Sequence, residues 1–171
     1  MRAAASTLPD GLRSVDTDAT GHCQFDAVAR QLRMHRQDTP AGGESPSYRD
    51  VRRDVAEWLR DSGRAEQFRG FLDTRFNGAT VSEFADRVGR ADGDSDAIQW
   101  GDHLTLVAVA NVYRRPVWVW LADHPSRGYV VIRPAHGEAA DAEPLRLLLH
   151  GESHYTSLEP ADKAGDGARS D

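Results

Sequence analysis

The single cysteine of this 171-residue chain, Cys23, constrains the fold most, because it lies where a loop meets a helix. Gly21 stands just before it and can adopt backbone angles that other residues avoid. Apolar side chains then recur at helical spacing, at Phe25, Val28, Ala29 and Leu32. The pattern therefore places the thiol in the first turn of a helix.

That position favours a reactive thiol. The positive end of the helix dipole and the unpaired backbone N–H groups lower a cysteine pKa from about 8.5 to roughly 3.5–7.5. The same N–H groups can bind the oxyanion that forms when the sulfur attacks a carbonyl. The alternative is that Cys23 is a small buried hydrophobic residue, as most free cysteines are. A partner for the thiol decides between these two interpretations.

A cysteine nucleophile needs a histidine to take its proton and later to protonate the leaving amine. Of the seven histidines, His154 is the best candidate, because it begins a predicted strand after the turn at residues 151–153. A strand end holds such a side chain rigidly. His150 and His154 have the i, i+4 spacing of metal ligands, but Gly151 indicates a turn rather than a helix, so we expect no metal site.

Three short blocks of the sequence resemble the motifs of one family. They are Gly21-His22-Cys23-Gln24-Phe25 before a helix, Trp100-Gly101-Asp102 opening another helix, and His154-Tyr155-Thr156-Ser157 near the end. In this order they are similar to the ovarian-tumour (OTU) family of cysteine proteases, whose motifs run Asp-Gly-Asn-Cys-Leu-Phe, Trp-Gly and His-Tyr-Asn-Ser. The resemblance spans residues 18–158, nearly the whole chain.

The resemblance implies a papain-like α+β fold of the three-layer α/β/α type. It also implies that Cys23 is the nucleophile and His154 the general base. Gly21, His22 and Trp100 would then bind the substrate, with Trp100 as a wall of a narrow channel for the tail of the substrate.

The chain departs from the family pattern at the third catalytic position. The family usually has an aspartate three residues before the cysteine, where this chain has Thr20, and Asn or Asp two residues after the histidine, where it has Thr156. A threonine can accept a hydrogen bond from an imidazole N–H but carries no charge to stabilise an imidazolium. We expect Asp18 or Thr156 to orient the histidine or to complete the oxyanion loop, and Asp16 and Glu152 stay open.

The activity that the resemblance implies is thiol-dependent removal of ubiquitin or a ubiquitin-like protein from its conjugates, without a cofactor. An acyl group would pass from the C-terminal glycine of ubiquitin to Cys23, and water activated by His154 would release it. Two alternatives stay open. One is a processing cysteine protease on a substrate other than ubiquitin, and the other is a ubiquitin-binding module with weak turnover, which Thr20 and Thr156 suggest.

Composition excludes several other classes. With 39% hydrophobic and 28% charged residues, the chain is typical of one globular domain. A net charge of −6 argues against a nucleic-acid surface. Acidic residues alternate with four arginines on one predicted helix, which we interpret as a solvated face with i, i+4 ion pairs. These arginines are Arg49, Arg52, Arg53 and Arg60.

The same composition bears on location. No apolar run approaches the roughly 18 residues of a membrane span, and residues 1–9 lack the apolar core of a signal peptide. One cysteine favours a reducing compartment. We therefore expect a cytoplasmic monomer, or one in the host cytosol for a secreted effector, with neither membrane nor nucleic acid as partner.

Patterning predicts helices in the first two thirds of the chain and a small mixed β-sheet mainly from the last third. The predicted helices are 23–35, 48–60, 65–76, one after the capping box at 80–83, and 103–113. The predicted strands are 12–15, 117–121, 129–132, 145–149 and one from His154. We expect a flexible N-terminus at 1–11, an OTU-like cysteine protease domain at 12–159 and a disordered tail at 160–171.

Overall fold

A computed structural model describes residues 8–17, 20–36, 45–61, 69–70, 80–93, 97–140 and 142–161. The helices of this part are α1 (Cys23–Arg36), α2 (Tyr48–Arg60), α3 (Val81–Gly89) and α4 (His103–Tyr113). The strands are β1 (Leu12–Val15), β2 (Val117–Leu121), β3 (Tyr129–Ile132), β4 (Leu145–His150) and β5 (His154–Pro160). The predicted strands and capped helices are therefore confirmed to within a residue or two.

Side-chain caps fix where three of these helices begin. Ser47, Thr80 and Asp102 each accept the backbone N–H of the residue three positions later. The side chain of that later residue binds back to the N–H of the cap, so each pair forms a capping box. Each box satisfies two backbone donors that a helix start leaves unpaired.

The five strands form one mixed sheet in the order β1-β5-β4-β2-β3. The β2–β4 pair is parallel and the other three pairs are antiparallel. Strand β2 lies inside the sheet, and β4 is the middle one of the five strands. Because β1 pairs with β5, the loop that leads to Cys23 leaves the sheet beside His154, the first residue of β5.

Helix α1 packs on β4 and β5, and α2 packs against α1, α3 and α4. Alternate strand residues such as Val117, Val119, Leu145 and Leu147 are buried in the same core as the apolar faces of these helices. This mixed α+β arrangement is the predicted fold class. It places the first residue of α1 at the end of the sheet where β5 begins.

Part of the prediction falls on residues that are not described. Of the predicted helix at 65–76, only residues 69–70 are described, and they are helical. Within the described ranges, no helix is long and apolar enough to cross a membrane.

A buried glutamine joins α1 to the sheet where β4 and β5 separate. The side-chain Oε1 of Gln31 accepts the backbone N–H of Arg146 at 2.9 Å. Its Nε2 donates to the carbonyl of Leu158 at 2.7 Å and to the hydroxyl of Ser157 at 2.9 Å. The last paired residues of β4 and β5 are Leu147 and Ser157. The Gln31 amide therefore takes the place of a peptide group at the end of the ladder.

We predict that Gln31→Ala lowers the free energy of unfolding by about 3 kcal/mol, because it leaves buried backbone groups of Arg146 and Leu158 without this partner. Urea denaturation monitored by far-UV circular dichroism measures the change. The exposed Glu57, on α2, provides the control, since Glu57→Ala should change stability by no more than about 0.5 kcal/mol. Equal effects of the two substitutions would contradict the role given to the Gln31 amide.

Candidate active site

Cys23 is the first residue of α1, as predicted, and only 3% of it is exposed. Its thiol donates to the backbone carbonyl of Ser153, with Sγ 3.4 Å from the oxygen. Ser153 directly precedes His154, so the cysteine faces the start of β5. No hydrogen bond joins the thiol to a ring nitrogen of His154 in the described part of the chain.

The turn before the cysteine requires glycine. Gly21 has φ of +90°, a backbone conformation that L side chains rarely adopt. A Cβ atom at this position would lie 3.1 Å from the indole Nε1 of Trp100. Trp100 is 39% exposed, so its indole borders the turn and is open to solvent, as a channel wall must be.

Burial raises the pKa of the Cys23 thiol above its usual range. The backbone N–H groups of Tyr155, Gln24 and Cys23 oppose this effect, and the charge of Arg52 opposes it less. The prediction of a lowered pKa, made from the helix N-terminus alone, was therefore wrong for the resting enzyme. The amide groups do lie where the prediction put them, but removal of the thiol from water outweighs them.

His154 begins β5, as predicted, and its ring contacts a carboxylate from the neighbouring strand. Its Nε2 lies 3.2 Å from Oδ1 of Asp16, the residue directly after β1. The pKa of Asp16 is lowered, first by the backbone N–H of Thr17 and then by the bond to His154. Asp16 is therefore ionised at neutral pH and available as an acceptor for the imidazole.

Thr156 does not reach His154. It is buried, and its hydroxyl bonds to the hydroxyl of Ser14 at 2.7 Å and to Nε2 of His150 at 3.2 Å. Of the other candidates for the third position, Asp18 lies outside the described residues and Glu152 is exposed in the turn before β5. In the described residues, Asp16 is thus the carboxylate that contacts the ring of His154.

His150 and His154, at this end of the sheet, do not form a metal site with other described residues. Their ring centroids are 5.8 Å apart. In the ranges that the structure describes, no group of three or more His, Cys, Asp or Glu side chains is placed to hold a metal ion.

His22 adjoins Cys23, but its ring is fixed in the interior and only 6% of the residue is exposed. Its Nδ1 accepts a hydrogen bond from Nε of Arg52 at 2.9 Å, and the ring stacks on Tyr48 at 4.5 Å between centroids. Because an arginine only donates, Nδ1 carries no proton and the ring is the neutral Nε2–H tautomer. A substrate can therefore meet the backbone of His22 more readily than its ring.

Arg52 is fully buried, so its assignment to a solvated arginine face was wrong. The other three arginines are exposed and form ion pairs, but none of these pairs has the predicted i, i+4 spacing: they are Arg49 with Asp92, Arg53 with Asp50 and Asp54, and Arg60 with Asp86. Arg52 instead points inward, and its guanidinium carbon lies 4.0 Å from the ring centroid of Phe25. Burial lowers its pKa to about 10, so the side chain stays cationic at neutral pH.

Gln24, next to Cys23, connects the cysteine helix to the start of α4. Its Nε2 donates to the carbonyl of Asp102 at 3.0 Å, and its Oε1 accepts from the hydroxyl of Thr105 at 2.6 Å. A Cβ atom on Gly101 would come within 2.4 Å of this side chain. Gln24 thus connects the sequence block at residues 21–25 to the block at residues 100–102. The sequence analysis did not give Gln24 this role.

A cysteine at the start of the helix that packs on a mixed sheet, facing the strand that carries the histidine, defines the papain-like class of cysteine protease architecture. The chain belongs to the OTU-like cysteine protease family, whose sequence model matches residues 18–157.

One curated relative is the OVARIAN TUMOR DOMAIN-containing deubiquitinating enzyme 10 of Arabidopsis thaliana. It is 26% identical over 144 residues, which cover 84% of this chain and 33% of the relative. The chain therefore spans about a third of the length of this curated relative.

Solved structures have the same fold. An OTU deubiquitinase from Wolbachia pipientis wMel gives a TM-score of 0.62 at 17% identity, covering 93% of this chain and 94% of that one. The same protein bound to ubiquitin gives 0.61 at 18% identity, with coverage of 89% and 98%. The Hazara virus OTU bound to ubiquitin gives 0.53 at 20% identity, with coverage of 89% and 83%.

We predict that alkylation of Cys23 by iodoacetamide still accelerates between about pH 8.5 and 9.5, because its raised pKa leaves the thiol protonated there. Cys23 is the single cysteine of the sequence, so intact mass after timed reaction measures its rate directly. A rate that reaches its plateau below about pH 7 would contradict the dominance of burial and would indicate a thiolate stabilised by the helix N-terminus.

Proposed function

We propose that the chain is a deubiquitinase that hydrolyses isopeptide or peptide bonds at the C-terminal glycine of ubiquitin or a ubiquitin-like protein. The observation that carries this proposal is the position of Cys23, whose thiol contacts the residue directly before a histidine held by a carboxylate. The membership of the chain in a cysteine protease family supports the same chemistry. We assign the activity to residues 12–159.

The contacts support a role for each ring nitrogen of His154. Asp16 engages Nε2, so Nδ1 is left to take the proton of the Cys23 thiol. The sulfur then bonds to the glycine carbonyl carbon, and the carbonyl electrons move to oxygen. As the C–N bond breaks, the imidazolium returns its proton to the leaving amine, which gives a thioester on Cys23. Water deprotonated by His154 hydrolyses the thioester and regenerates the thiol.

The oxyanion of each tetrahedral intermediate needs donors near the sulfur. The first residues of α1 leave backbone N–H groups unpaired within the helix, and that of Cys23 is one of them. We propose that this N–H and those of the preceding loop bind the oxyanion. The buried, solvent-poor surroundings of Cys23 strengthen such bonds relative to water.

We propose Asp16, rather than Asp18 or Thr156, as the residue that orients His154. Asp16 makes the bond to the ring, and its ionised carboxylate can stabilise the imidazolium that forms during catalysis. Thr156 is already used by Ser14 and His150. This choice keeps the usual carboxylate–imidazole–thiol chemistry but takes the carboxylate from a different strand.

Ubiquitin as substrate is supported by relatives whose OTU domains are bound to ubiquitin, those of Wolbachia pipientis wMel and Hazara virus. Gly21 and Trp100 lie against each other beside the nucleophile, where a channel for the glycine tail of ubiquitin would pass. We further propose that the protein acts as a monomer in a reducing compartment, the cytoplasm or a host cytosol, since its thiol must stay reduced.

Incubation with ubiquitin that carries a thiol-reactive group at its C-terminus tests the proposal directly. We expect intact mass to show one adduct on the wild-type chain and none on Cys23→Ala. An adduct together with cleavage of ubiquitin conjugates establishes the activity. Binding of ubiquitin without adduct or turnover would instead identify a binding module, and cleavage confined to unrelated peptides would identify a processing protease.

The role of Asp16 predicts that Asp16→Asn lowers kcat by about tenfold or more, because the amide cannot stabilise an imidazolium. Thr156→Val, which removes only the hydroxyl, should have a smaller effect on kcat. Steady-state kinetics on a fluorogenic ubiquitin amide compare the two variants. The opposite order of effects would assign the role to Thr156.

The pH dependence of kcat/KM gives a further check. Thiol and imidazole titrate as a pair, so the rate should rise with pH through an apparent pKa that belongs to both groups. A rate that stays flat between about pH 5 and 9 would contradict the role given to His154.

A further inference from the structure

The buried Arg52 uses every hydrogen-bond donor of its guanidinium. Nε donates to Nδ1 of His22 at 2.9 Å, and Nη2 donates to the carbonyls of Gly21 at 2.9 Å and Gln99 at 3.1 Å. Nη1 donates to the carbonyls of Val88 at 2.8 Å and Gln99 at 3.1 Å. A guanidinium has five N–H bonds, and all five have an acceptor here.

None of these acceptors is a carboxylate, and no ion pair of Arg52 occurs in the described part of the chain. A buried charge costs several kcal/mol in desolvation, and an apolar side chain of similar volume often serves stability as well. Packing alone therefore gives little reason for an arginine at this place. What distinguishes this arginine is that two of its acceptors belong to the loop before Cys23.

Two of the acceptors belong to Gly21 and His22, the residues directly before the nucleophile. In a trans peptide the carbonyl of one residue and the N–H of the next point in opposite directions, and no described peptide is cis. Because Arg52 draws the Gly21 carbonyl inward, the N–H of His22 must point away from the guanidinium. The orientation of this donor thus depends on Arg52.

Without Arg52 the Gly21–His22 peptide would lose a restraint on its orientation. A flip of this peptide changes ψ of Gly21 and φ of His22, and glycine tolerates a wide range of ψ. The second contact, to the ring of His22, holds the other side of the peptide, and the stack on Tyr48 fixes that ring. Arg52 and its two acceptors therefore form a lock on the Gly21–His22 peptide.

We propose that Arg52 is a positioning residue for the hydrolysis: it locks the Gly21–His22 peptide so that the His22 N–H faces the oxyanion formed when Cys23 attacks. Its hydrogen bond to the Gly21 carbonyl also polarises that peptide and makes the N–H a stronger donor. This inference rests on the proposed function, since an oxyanion forms only if Cys23 attacks a carbonyl.

Arg52→Lys tests the lock, because a lysine keeps the positive charge but has a single ammonium that cannot hold the planar fan of acceptors. We expect kcat on a fluorogenic ubiquitin amide to fall about 100-fold, the usual loss for one oxyanion donor, with KM changed by less than about threefold. Alkylation of Cys23 by iodoacetamide forms no oxyanion, so its rate constant should stay within about threefold of the wild type.

Leu59→Ala is the matched control. Leu59 is on the same helix and is 1% exposed, so its truncation destabilises the core without altering the acceptors of Arg52. We expect its kcat per native molecule to stay within about threefold of the wild type. A similar kcat loss in Leu59→Ala and Arg52→Lys, or a joint loss of kcat and alkylation rate in Arg52→Lys, would make Arg52 merely structural.

His22→Phe keeps the inference testable if Arg52→Lys does not fold. The phenyl ring preserves the stack on Tyr48 but removes the acceptor of Arg52 Nε. We expect a fall of about tenfold in kcat with KM and alkylation unchanged, and an unchanged kcat would overturn the lock. A wild-type chain that cleaves no ubiquitin substrate overturns the proposed function itself, whereas an active wild type matched by Arg52→Lys overturns only the role of Arg52.

Discussion

In the described part of the chain the core encloses one charged side chain, Arg52, whose guanidinium bonds to backbone carbonyls and an imidazole instead of a carboxylate. Its acceptors come from three places far apart in sequence: the cysteine loop, the end of α3 and the segment before Trp100. The carbonyl of Val88 is among the last of α3, where backbone carbonyls lack helical partners and the dipole is negative. One side chain of α2 therefore bonds both to the end of α3 and to the loop before Cys23, so it connects that loop to the helical layer.

Two opposing effects act on the ionisation of the buried Cys23 thiol. Removal of Cys23 from water disfavours the thiolate, whereas the N–H groups around it favour the thiolate and, later, the oxyanion. In the resting geometry burial prevails, and the thiol donates to the carbonyl of Ser153. In the proposed mechanism the sulfur must turn from that carbonyl before His154 can take its proton. The low solvent exposure of Cys23 makes a free thiolate less stable. It also strengthens the hydrogen bonds to the proposed tetrahedral intermediate.

Sequence patterns predicted those features that local chemistry determines. The capping box that begins at Thr80, the strands and the cysteine at a helix start all depend on neighbours along the chain, and they were confirmed. Arg52 could not be recognised, because it stands among exposed arginines and only the packing of α2 against α1, α3 and α4 decides which of them turns inward. The pKa of Cys23 was mispredicted for the same reason, since burial is a property of the tertiary structure.

The choice of Asp16 over Thr156 depends on strand register, which no local pattern contains. Residues two positions apart on one strand lie roughly 6.5 Å apart along it, whereas residues opposite each other on paired strands approach to about 4.5–5.5 Å. Because Val15 pairs with Ser157, the residues after β1 pass beside the start of β5, and the hydroxyl of Thr17 bonds to the carbonyl of Tyr155 there. Asp16, directly after β1, can thus contact the ring of His154, as a residue two positions further along β5 could also do. Thr156 therefore joins β1 to β4 through its hydrogen bonds to Ser14 and His150. The carboxylate that contacts His154 comes instead from Asp16, at the end of the adjacent strand.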